Sequence, residues 1–228
     1  MASGNVRVSK KRMINFSGKT IKIYVGGDSF VVHQDLLKNV SPFFRSMLDR
    51  NKGQGTVSFS WEREDMEAVH LYFNWIYRRV IPSWGDGEQV RSKESLLLAR
   101  AYHAGDFFED RDFQDAIVDC VLQRATEGDC GKRTRPGPQA ISYTYQHGQK
   151  DSKFRLLLVN LYASRALDGS FLKAESEEYP NTFLTEVLSA VADMQLGVRK
   201  RLTNGCGKEI CDLYHNHASE SECYKKSL

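Results

Sequence analysis

The chain has 228 residues, enough for one large domain or two small ones, with 41% hydrophobic and 27% charged residues; that balance argues against a largely disordered chain. A net charge of +3 is too slight to point to nucleic acid as a partner, because no domain-wide basic excess stands behind it. No apolar run is long enough to span a bilayer. In MASGNVRVSKKRMINFSG the basic cluster Lys10, Lys11, Arg12 lacks the apolar stretch of a secretory leader. Residues 1–17 are expected to be a disordered basic terminus rather than a nuclear address, and the five cysteines to be reduced thiols in the cytosol or nucleus.

In chain order, Ile21, Ile23 and Val25 alternate with Lys22 and Tyr24, then Gly26-Gly27-Asp28 offers turn chemistry, and Phe30 and Val32 resume the alternation. This predicts a β-hairpin. Gln34 to Asn39 reads as a short helix. Ser41-Pro42 suits the start of another, with serine as N-cap and proline at the first helical position. TVSFSW, residues 56–61, predicts a third strand with Val57, Phe59 and Trp61 inward. Met66, Val69, Phe73, Ile76 and Val80 form a helical stripe, and two more helices carry Leu97, Leu98, Ala101 and Phe108, then Phe113, Ala116, Ile117, Cys120 and Val121.

The Gly-, Pro- and charge-rich EGDCGKRTRPGPQ reads as a linker over 127–138. A helical region over 139–200 follows, with one helix around Phe154–Leu167 and another carrying Phe183, Val187, Ala190, Val191 and Met194 after Tyr179-Pro180. Residues 201–228 form a tail rich in Cys and His. The fold class expected is α+β, a small β-sheet flanked by a cluster of helices and followed by a mostly helical region.

IYVGGDSFVVHQDLLKNVSPFFRSML, the FNWIY of residues 73–77 and LLLARAYHAGDFF together resemble a BTB/POZ domain over residues 18–126. The layout of linker, second helical segment and Cys/His-rich tail is similar to that of fungal BTB-domain proteins. The resemblance implies a non-enzymatic protein-interaction scaffold, commonly a homodimer, with two other roles open: substrate adaptor for a cullin scaffold in a ubiquitin ligase, or transcription regulator with a metal-stabilised tail. It implies that apolar residues near Leu36 and Val40 contribute to a dimer surface. Two places depart from the family pattern. Thr20 and Val40 stand where transcription-factor relatives carry an acidic and a basic residue, and the loop Asp49–Gly55 lacks the apolar-x-acidic triplet of many cullin adaptors.

His33 could be a base or ligand, but no Cys, His or carboxylate beside it completes such a site, so a local structural role at the strand-to-helix corner is expected. Gly26-Gly27-Asp28-Ser29 lacks the spacing of a phosphate loop, and a strand rather than a helix follows. Trp61, Trp75, Phe43, Phe44 and Cys120 read as packing residues.

Cys206, Cys211, His215, His217 and Cys223 fall within eighteen residues, five candidate ligands for a four-coordinate ion. The His-x-His pair matches no standard zinc finger. Closed coordination would make a zinc here a structural staple without an open catalytic position; the alternative is a loosely ordered polar tail with free thiols.

Overall fold

Gly26 and Gly27 adopt positive φ, 54° and 105°, conformations that cost glycine little. They join β1 (Thr20–Val25) antiparallel to β2 (Asp28–His33). The structure, a computed structural model, describes residues 10, 13–85, 88–126, 135–164, 166, 179–200, 202, 208–217 and 223–226. Among these the expected α+β class holds: three strands in one mixed sheet and nine α-helices. No helix among them is long and apolar enough to cross a membrane.

β1 is central, between β2 and β3 (Thr56–Phe59), and β3 runs parallel to it. A parallel neighbour needs a crossover, supplied by α1 (Gln34–Val40) and α2 (Pro42–Arg50). The period of two sends Ile21, Ile23, Val25, Val32 and Val57 into the core. The opposite face leaves Tyr24 and Val31 exposed.

Ser41 fixes the corner between α1 and α2. Its hydroxyl accepts the N–H of Phe44 at 3.1 Å, as an N-cap should, and donates to the carbonyl of Phe108 at 2.6 Å. This second bond reaches 67 residues along the chain. Around it Phe44, Tyr72 and Phe108 stack, with ring centroids 5.2 Å apart for Phe44–Phe108 and 4.4 Å for Tyr72–Phe108. Leu36 and Val40 are half-buried against the same core.

α3 (Met66–Arg78) buries Met66, Val69, Phe73, Ile76 and Trp75. Val80 does not extend that stripe: the helix ends where Arg79 turns left-handed (φ 53°), leaving Val80 exposed. Trp61 also falls outside the strand predicted to include it: β3 ends at Phe59, and Trp61 stacks on Phe108 at 5.4 Å instead of pairing. α4 (Glu88–Phe107) and α5 (Arg111–Thr126) pack closely. A Cβ on Gly105 would come within 2.8 Å of Gln114 and 3.0 Å of Phe113. α5 is buried on most sides, including Phe113, Asp115, Ile117, Val118 and Val121.

Most of the predicted linker, residues 127–134, lies outside the described residues, as do residues 1–9 and 11–12 of the basic terminus. α6 (Pro138–His147), α7 (Lys153–Ala163) and α8 (Asn181–Gln195) follow. They join the same buried core. Phe154 of α7 stacks on Tyr102 of α4, centroids 4.4 Å apart. Tyr143 of α6 donates its hydroxyl to Asp65, which also pairs with Arg100 of α4 at 2.8 Å. α9 (Lys208–Tyr214) brings the tail back to α7, where Tyr214 is buried and accepts a hydrogen bond from Asn160 at 2.9 Å.

Ser41→Ala should lower unfolding stability by about 2–3 kcal/mol in urea titration, because it removes a cap and orphans the buried carbonyl of Phe108. A loss below about 0.5 kcal/mol would show that the corner does not depend on this hydroxyl.

Candidate metal centre

Cys211 sits on α9, and the chain leaves the helix directly into His215-Asn216-His217. One donor atom from each of Cys211, His215, His217 and Cys223 lies within 4.8 Å of the others. Cys211 Sγ is 3.3 Å from His215 Nδ1 and 2.8 Å from His217 Nε2, and Cys223 Sγ is 3.5 Å from His215 Nδ1. An ion about 2.3 Å from sulfur and about 2.0–2.1 Å from nitrogen in a tetrahedron sets sulfur–nitrogen edges of roughly 3.5 Å. Two of the three observed separations are close to that edge and the third, Cys211 to His217, is shorter, so with a small adjustment the four side chains could hold one metal ion between them. Cys206, the fifth sequence candidate, lies outside the described residues.

The cluster is partly shielded from water. His215 is completely buried and Cys223 is buried, while Cys211 and His217 are half-buried. Burial, helped by the neighbouring Cys223, pushes the Cys211 thiol up to about 11. A metal must therefore displace a proton from this thiol, and occupancy should fall as pH falls. His215 and His217 present their rings nearly at right angles, 5.5 Å apart.

Helix α5 supplies the wall behind the ligands. Asp115, fully buried, accepts the N–H of Asn216 at 2.5 Å. Burial raises its carboxyl, and its second oxygen has no hydrogen-bond partner. Asn216 also donates its side-chain amide to the hydroxyl of Tyr102 at 3.0 Å. Asp119 accepts from the hydroxyl of Tyr224 at 2.5 Å and from Lys225 at 2.8 Å. Burial works to raise Asp119, but its close contacts with His215, Lys225 and Tyr224 outweigh that and lower it. Lys153 of α7 donates to the carbonyl of His215.

Sequence patterning missed these supporting residues. Asp115 and Asp119 are one turn apart, flanking the apolar Ala116-Ile117-Val118 of α5, but nothing local says that their partners come about a hundred residues later. His33 is accounted for locally: Nδ1 meets the hydroxyl of Tyr77 at 2.9 Å and Nε2 the carbonyl of Phe16 at 3.2 Å. The Gly26-Gly27 turn leads into β2, not into a helix N-terminus. Cys120 is half-buried against the core. Compared with models of known protein families and with curated proteins, the chain matches none.

Elemental analysis of chain purified at pH 7.5 should find one tightly held transition metal per chain. Cys223→Ser should weaken its retention against a chelator by more than about 100-fold, since a buried thiolate ligand is lost. Retention equal to wild type would remove Cys223 from the ligand set.

Proposed function

We propose that the chain is a non-enzymatic protein-interaction scaffold of the BTB/POZ type, acting as a homodimer, with one structural zinc ion closing its C-terminal tail. The observation carrying the scaffold reading is the order hairpin, α1, α2, parallel β3, α3, with the Ser41 corner bonded to the end of α4. That order agrees with the motifs from which the resemblance was drawn.

The outer face of the hairpin supports self-association. Phe16 and Val31 are 66% and 65% exposed, and Phe16 packs edge-on against His33, which shares that face with Val31 and Tyr24. Apolar side chains gathered this way in a soluble chain favour a covering surface. β2 is also an outer strand of the sheet, paired with another strand on one side only. The loop after α2 offers no apolar anchor for a cullin scaffold, so the homodimer is the reading preferred.

Zinc is favoured among metals by the donor set. Two thiolates and two imidazoles suit a borderline-soft ion in a tetrahedron. All four donors come from protein, so the ion would staple the tail and leave no position for substrate.

Light scattering of the full chain at tens of micromolar should give twice the chain mass. Val31→Lys combined with Phe16→Ser should raise the dissociation constant at least tenfold. A wild-type monomer at that concentration would contradict the dimer.

A further inference from the structure

His215 has two different neighbours across its ring. Nδ1 faces the sulfurs of Cys211 and Cys223 at 3.3 and 3.5 Å, while Nε2 lies 3.3 Å from Asp119 Oδ1. The ring is completely buried, and Nε2 has no well-aligned hydrogen bond. Nδ1 also lies 3.9 Å from Asp115 Oδ2, beyond hydrogen-bond reach, so the nearer carboxylate, Asp119, takes the ring proton at Nε2 and leaves the Nδ1 lone pair toward the sulfurs.

Asp119 reaches further than His215. Its two oxygens also take the hydroxyl of Tyr224 and the ammonium of Lys225, the two residues directly after Cys223. One side chain on α5 therefore touches one ligand and anchors the segment bearing another. One turn earlier, Asp115 holds the backbone between His215 and His217 through the N–H of Asn216.

We infer that Asp119 is the positioning carboxylate of the metal centre, orienting His215 for coordination through Nδ1, so that the ion is bound tightly only while the tail is docked on α5. The inference rests on the zinc reading above. Its consequence is reciprocal: metal binding and tail docking strengthen each other, because the same carboxylate serves both. The tail is then a latch closed onto the body of the protein, with its affinity for metal set in part by a helix about a hundred residues away.

Cobalt(II) replacing zinc in the full-length chain tests this. Thiolate-to-cobalt and d–d absorption report a tetrahedral thiolate site, and competition with a chelator gives affinity. Asp119→Asn should keep the wild-type bands while binding cobalt roughly 10- to 100-fold more weakly, and Asp112→Asn on the same helix should bind like wild type. Nitrogen-15 spectra of wild-type chain loaded with cadmium-113 add a reading independent of any variant's folding: coupling to Nδ1 of His215 and a proton on Nε2. Affinity of Asp119→Asn within twofold of wild type, or cadmium coupled to Nε2 of His215, would overturn the inference and leave the metal site standing. A wild-type chain without thiolate-to-cobalt bands would overturn the zinc reading and this inference with it.

Discussion

A carboxylate taken fully out of water must be compensated, and Asp115 on α5 is such a group. The helix packs against α4, and the hydrogen bond that the carboxylate accepts comes from outside the hairpin-and-helix unit. It comes from the tail, through the backbone N–H of Asn216. Asp119 repeats the arrangement one turn later with His215, Tyr224 and Lys225. Docking of the tail thus answers a demand that the interior of the protein creates.

The same logic explains why the four candidate ligands converge. α9 is a helix of seven residues, too short to be stable alone. It is held by the burial of Tyr214 and its bond to Asn160, and by Lys153 gripping the carbonyls of Asp212 and His215. The two aspartates then fix the segments on either side of residues 218–222. These outer contacts bring the ligands near one another, and a bound ion would complete the closure that they begin.

Much of the fold could be read from local pattern. Alternation marked β1, β2 and β3, Gly26-Gly27 marked the turn, and Ser41-Pro42 marked a helix start whose cap has the expected geometry. These are short-range signals, decided by residues a few positions apart. Trp61 and Val80 departed from expectation because stacking on Phe108 and a left-handed Arg79 ended their elements early. α6 had no strong periodic signature, its buried residues being Ala140, Ile141 and Thr144. Among the candidate ligands, spacing identified the cluster. Which atoms face one another, and the part played by Asp115 and Asp119, depend on contacts across about a hundred residues, and no periodicity carries that information.

The central claim is that metal and α5 together hold the tail closed. The amide of Asn216, bonded to Asp115, is the reporter placed between two of the ligands. Hydrogen exchange at that amide, followed in full-length chain with zinc and after chelation, measures the claim directly. The account predicts strong protection with zinc that falls by at least tenfold when the ion is removed. Equal protection in both states would mean that the tail docks without metal, and would contradict it.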